Sequence, residues 1–152
     1  MSIASSHIQP CLWFDDDLEE AVRFYTAIFP NSSIDRLGAG AGEFTLDGLT
    51  FRAINGGPAF PFSEAVSFAI ACEDQGEVDY YWDSLADGGE ESVCGWLKDR
   101  FGLSWQIVPM RLYELVADPD PQRALAVSRA MLGMRRIVVA ELEAAADAVG
   151  PR

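Results

Sequence analysis

Few residues in this 152-residue chain are of a type and spacing that could do chemistry, and the two most informative stand at matched places. The segments Gly48-Leu49-Thr50-Phe51-Arg52-Ala53-Ile54 and Gly102-Leu103-Ser104-Trp105-Gln106-Ile107-Val108 agree position by position in residue class, so Arg52 answers to Gln106. A guanidinium and an amide can hold, or polarise, an anionic or carbonyl oxygen. The chain has one histidine, His7, ahead of the first apolar run. A lone imidazole makes no metal site, and Ser/His/Asp or Cys/His catalysis would depend on it alone. Cys11, Cys72 and Cys94 are odd in number, far apart and without CxxC spacing, which predicts reduced, mostly buried thiols. Beside Cys94, Lys98 is the cation in the hairpin that could activate it. The acidic groups Asp15-Asp16-Asp17, Glu73-Asp74 and Glu90-Glu91 fall at element ends and read as caps and solvated turns.

The elements that must carry these residues follow from periodicity. Ile8 to Phe14 predicts a strand running into a helix capped by the Asp triplet. Leu18, Ala21, Val22, Tyr25, Ile28 and Phe29 recur at helical spacing, and Ser33 to Leu37 is a weaker strand. Glu43 to Leu46 and Leu49 to Asn55 flank Asp47-Gly48, a strong hairpin signal. The order βαβββ then starts again: a strand Ala65 to Cys72, a helix through Val78, Tyr81, Trp82 and Leu85, a short strand near Glu91 to Val93, and a hairpin from Cys94 to Pro109. A repeat of this kind sets the fold class. The expectation is α+β: two paired βαβββ modules, about 7–56 and 64–110, forming a curved mixed sheet with helices outside, all within one domain, 1–152. A helical tail at about 111–150 completes it, with Asp120 capping Pro121 onward and Leu125, Met131 and Leu132 on apolar faces.

Composition narrows the partners. The chain is 49% hydrophobic and carries a net charge of −13, with no basic stripe to displace counterions from phosphates. Nucleic acids and anionic membranes are therefore not expected partners. No apolar leader or spanning segment stands out, which predicts a cytoplasmic protein.

Several runs resemble a known family. Ile8-Gln9-Pro10-Cys11-Leu12-Trp13-Phe14-Asp15, Ala21-Val22-Arg23-Phe24-Tyr25 with Ile28-Phe29-Pro30-Asn31-Ser32, and Asn55-Gly56-Gly57-Pro58 are similar to the PhnB-like family, often labelled 3-demethylubiquinone-9 3-methyltransferase. Val78-Asp79-Tyr80-Tyr81-Trp82, Gly88-Gly89-Glu90-Glu91, Cys94 to Asp99, Gly102 to Pro109 and Asp118-Pro119-Asp120-Pro121 extend the resemblance. The loop Gly38 to Gly42 looks shorter than the family's usual connection. The resemblance implies the vicinal oxygen chelate superfamily of glyoxalases, bleomycin-resistance proteins and extradiol dioxygenases, and a homodimer binding a small molecule. Superfamily enzymes hold a divalent metal with His or Gln on a module's first strand and Glu on its last. Here those positions fall on Gln9, Ser67, Arg52 and Gln106. An amide, a hydroxyl, a guanidinium and an amide suit a cation poorly, and Arg52 would repel one, so neither metal nor cofactor is expected.

Strand alternation places Gln9, Cys11 and Trp13 on one face, as it does Thr50, Arg52 and Ile54, or Ser104, Gln106 and Val108. The expected ligand-binding residues are therefore Gln9, Cys11, Trp13, Arg52, Ser67 and Gln106, suited to a flat or apolar ligand with an anionic or carbonyl group. Three readings follow: a metal-independent small-molecule-binding protein, a superfamily enzyme, or an interaction module whose cleft is filled by its own side chains. Methyl transfer is disfavoured, because Gly38 to Gly42 leads into a hairpin and not into a helix that could receive a nucleotide.

Overall fold

The computed structural model describes residues 7–150, which form two compact units meeting in sequence between Phe62 and Ser63. In the first, β1 (Cys11–Phe14) leads to α1 (Leu18–Ile28), then β2 (Ser33–Leu37), β3 (Ala41–Leu46) and β4 (Leu49–Asn55). The sheet order is β1-β4-β3-β2, with β1 parallel to β4 and the remaining pairs antiparallel. The second unit repeats the pattern with β5 (Ser67–Cys72), α2 (Gln75–Ala86), β6 (Glu90–Glu91), β7 (Trp96–Lys98) and β8 (Ser104–Pro109), in the order β5-β8-β7-β6. The α+β class and the two βαβββ modules are thus as expected, each module with a four-stranded mixed sheet of its own.

In both units one sheet face is apolar and lies under the unit's helix. Leu12, Phe14, Phe44, Leu46, Phe51 and Ala53 are buried with Leu18, Ala21, Val22 and Tyr25 of α1. Tyr25, Phe44 and Phe51 stack in sequence, with ring centroids 6.2 and 5.2 Å apart. In the second unit Cys72, Leu97, Trp105 and Ile107 are buried with Val78, Tyr81, Trp82 and Leu85 of α2. Trp82 and Trp105 therefore belong to the core. Asp99, buried in the β7–β8 turn, organises that turn: its carboxylate accepts from the backbone N–H of Phe101 and Leu103 and from the Trp105 indole, at 2.9, 3.0 and 2.9 Å.

The hairpin turn and two of the helix caps form as their local sequence predicts. Asp47 and Gly48 both have positive φ, 46° and 83°, as a two-residue hairpin of the primed type requires. Asp74 caps α2 through Glu77 N–H, and Asp120 caps α4 (Pro121–Leu132) through Gln122 N–H. Asp17 departs from expectation, since its side chain caps nothing. Leu18 N–H instead donates to Asn55 Oδ1 at 3.0 Å, so the helix start is tied to the end of β4, and Asn55 Nδ2 reaches Ala39 O at 3.0 Å.

The tail forms α3 (Met110–Val116), α4 and α5 (Val139–Val149), around a cluster of Val108, Leu112, Leu115, Val127, Met134, Ile137, Leu142 and Ala146. Leu125 and Leu132 do not face this cluster; they are exposed. The face of α4 that is buried holds Val127 and Arg123 instead. Arg123 explains the roll of the helix: its guanidinium pairs with Asp118 at 3.1 Å and donates to the carbonyls of Ala146, at 2.9 Å, and Gly150.

Replacing Asn55 by Ala leaves Leu18 N–H without its acceptor and is expected to cost about 1–2 kcal/mol in urea denaturation. Asp17→Ala is expected to stay within about 0.5 kcal/mol, and equal losses would show that Asp17 caps the helix after all.

Candidate functional site

The face of each sheet turned away from its helix carries the polar side chains. In the first unit Arg52 stands beside Cys11 across the parallel β1–β4 ladder and beside Glu43 across the antiparallel one. Ladder neighbours project to the same side, so Cys11, Arg52 and Glu43 share this face. Gln9, Cys11, Arg36, Leu37, Arg52 and Ile54 line a hollow of about 750 Å³, within the usual range for small-molecule sites. Glu43, the nearest acid along the ladder, is taken by Arg36, whose Nη2 lies 3.1 Å from Glu43 Oε2. Arg52 is exposed, and its guanidinium has no hydrogen-bond or ion-pair partner among the described residues. In a chain of net charge −13, with Arg36 paired to Glu43, Arg52 supplies this wall with its remaining positive charge.

Trp13 shares the strand but does not line this hollow. Its indole N–H donates to Gly57 O at 2.9 Å, and its ring packs edge-on against Phe60 at 5.0 Å. It braces the 56–60 segment.

In the second unit the equivalent ladder pairs Ala69 with Gln106 and Ser67 with Ser104. Gln106 therefore occupies the place of Arg52, and Ala69 that of Cys11. Gln106 Nε2 donates to Ser67 Oγ at 2.9 Å, so the amide and hydroxyl engage each other. As a ligand set for the superfamily's divalent metal, these residues do not fit: Arg52 carries a positive charge, Gln106 turns its N–H side towards Ser67, and carboxylate and imidazole are missing from all four positions. Among the described residues no group of three or more His, Cys, Asp or Glu side chains is arranged to hold a metal ion. His7 is exposed.

A family model described as 3-demethylubiquinone-9 3-methyltransferase matches residues 6–108. The chain belongs to this family. The PhnB protein of Bacillus cereus, described with the same methyltransferase name, is 32% identical; the match covers 68% of this chain and 99% of that one, with a TM-score of 0.62. A Pseudomonas aeruginosa protein is 19% identical over 69% of this chain and 98% of its own, with a TM-score of 0.56. The fosfomycin resistance protein FosX of Listeria monocytogenes, solved with Mn(II) and sulfate, is 18% identical over 68% of this chain and 90% of its own, with a TM-score of 0.51. The last two share the fold alone, the glyoxalase-like α+β arrangement of βαβββ modules. No curated protein matches. The structure lends the methyltransferase name no support, since residues 38–40 join two antiparallel strands and no helix follows them. Helices α3 to α5 lie beyond the family match. Among the described residues no helix is long and apolar enough to cross a membrane.

Arg36 was not foreseen as part of the hollow, because the β2–β3 register shifts between Ile34 and Arg36 and strand parity fails there. The cysteines also divide differently from expectation: all three are free, but only Cys72 is buried, Cys94 is half-buried and Cys11 is exposed in the hollow. Burial, reinforced by the nearby carboxylates of Glu77 and Asp74, pushes the Cys72 thiol up from 9.0 to about 12. Because the folded value lies above the unfolded one, the stability this contributes is complete below pH 9 and is lost as pH rises towards 12. At pH 8 the same shift cuts the Cys72 thiolate fraction about 1,000-fold relative to an ordinary thiol. Iodoacetamide at pH 8, read by peptide mass spectrometry, is expected to label Cys11 and spare Cys72 until the protein is unfolded; equal labelling in the folded state would contradict this placement.

Proposed function

We propose that this chain is a metal-independent small-molecule-binding protein that takes a flat or apolar anion in the hollow of its first unit. The observation that carries this reading is the exposed Arg52 guanidinium, without a hydrogen-bond or ion-pair partner among the described residues, set among Leu37, Ile54 and the amide of Gln9. An arginine held in such a place offers a planar pair of N–H donors to a carboxylate, with apolar side chains beside it for the rest of the ligand. Arg36, already neutralised by Glu43, adds donors without a second full charge. The metal-free part of the proposal is supported by the donor chemistry at the superfamily positions. The homodimer belongs to the same reading and rests on the resemblance to PhnB-like proteins; light scattering should then give twice 16.6 kDa.

A panel of small aromatic carboxylates, titrated by calorimetry, tests the reading. Arg52→Ala is expected to lower affinity about 10- to 100-fold, the worth of a charge-assisted contact, while stability changes by less than about 0.5 kcal/mol. Prior dialysis against EDTA is expected to leave affinity unchanged. Binding that ignores Arg52→Ala, or that disappears with the chelator, would overturn the proposal.

A further inference from the structure

A second hollow, of about 410 Å³, lies in the second unit, and its chemistry is of the opposite sign. The ladders align Glu90 with Lys98 and Lys98 with Ser104, so the three side chains form one row across β6, β7 and β8 on one face of the sheet. Trp96, two residues before Lys98, projects to that face as well, and all four line the hollow. Lys98 Nζ is paired with Glu64 Oε1 at 2.7 Å, a contact that holds the Glu64 carboxyl below its ordinary range and the lysine above its own. That pair cancels. Glu90, exposed and directly across the ladder from Lys98, also acts electrostatically on that lysine, but makes no hydrogen bond or salt bridge among the described residues.

Ser104 is the independent sign of a ligand. It is 0% exposed, it lines the hollow, and its Oγ is the one buried side-chain polar atom without a hydrogen-bond partner among the described residues. A buried hydroxyl left unpaired costs about 1–3 kcal/mol, so its presence needs a reason. The loop at Cys94, which lines the hollow, is braced from behind by residues outside the family match. Cys94, at φ 59°, and Gly95, at φ 82°, donate their backbone N–H groups to Met134 O and Arg135 O, both at 2.8 Å. A Cβ on Gly95 would come within 2.8 Å of Ile137 Cδ1 and 2.9 Å of Ile107 O, so the loop and the C-terminal extension fit each other closely.

We propose that this hollow binds a small organic ammonium ion whose other end carries a hydroxyl, with the ammonium at Glu90, the hydroxyl at Ser104 and the apolar body against Trp96. The span suits such a molecule, since Glu90 and Ser104 stand two strand spacings apart, about 9–10 Å. Trp96 offers a π face beside the cation's path. The site is in the other unit from Arg52 and stands whether or not the first hollow binds anions.

Tyramine is the probe, with phenethylamine lacking the hydroxyl and 3-(4-hydroxyphenyl)propanoate reversing the charge. Affinity is read by calorimetry, and position by the Trp96 indole N–H resonance. Tyramine is expected to bind and to shift that resonance, the propanoate to do neither at Trp96. Ser104→Ala is expected to weaken tyramine about fivefold, the worth of one hydrogen bond, and to leave phenethylamine unchanged. The same variant without ligand should melt no lower than wild type, because it removes an unpaired group. Glu90→Gln should weaken both amines, and Arg52→Ala neither. Absence of tyramine binding at 10 mM, binding indifferent to Glu90→Gln and Ser104→Ala, or an equal response to the propanoate at Trp96 would each overturn the proposal.

Discussion

Each unit depends on the register of one parallel ladder, the pairing of a module's first strand with its last. Cys11 beside Arg52 in one unit and Ala69 beside Gln106 in the other fix which side chains face the helix and which face away. Because side chains alternate with a period of two, a slip of one residue would bury Arg52 and expose Phe51 and Ala53. The stacked Tyr25, Phe44 and Phe51 rings and the buried Leu12 and Phe14 make that slip costly. Core packing on one face therefore determines the chemistry displayed on the other.

The two units use the same scaffold for different surfaces. At the position where the first presents an exposed guanidinium, the second presents an amide spent on Ser67. Its own open chemistry has moved towards the β6–β7 side, where Glu90 and Ser104 flank the Lys98–Glu64 pair. The C-terminal extension takes part in that change. Gln75, at the start of α2, accepts from Val139 N–H at 2.8 Å and donates to Ile137 O at 3.0 Å, while Arg136 pairs with Asp79 at 3.2 Å. These contacts, with those of Met134 and Arg135 to the Cys94-Gly95 loop, make the extension part of the second unit's core.

Much of this was legible from the chain. Strand alternation around Arg52, the Asp47-Gly48 hairpin, the Asp74 and Asp120 caps and the repeat itself are local patterns, and local patterns survive folding. Gln9, Cys11 and Arg52 do line one hollow, and Ser67 meets Gln106. What was hidden is long-range or irregular. Asn55 caps a helix 37 residues before it, a choice that no cap motif near Asp17 records. The β2 bulge turns Arg36 into the hollow against simple parity. Arg123 rolls α4 by ion pairing, so Leu125 and Leu132 face outward although hydrophobicity alone would bury them. Trp13 braces a neighbouring segment through a hydrogen bond to Gly57, which residue type does not reveal.

In the function proposed above, Arg52 anchors an anion site that needs no metal. Anomalous diffraction from crystals soaked with 4-iodobenzoate tests it most directly, because iodine marks the ligand and any transition metal marks itself. Iodine is expected in the first unit's hollow, with the carboxylate on the Arg52 guanidinium and no metal peak beside Gln9 or Arg52. Iodine confined to other surfaces, or a metal peak between the ligand and those side chains, would contradict it.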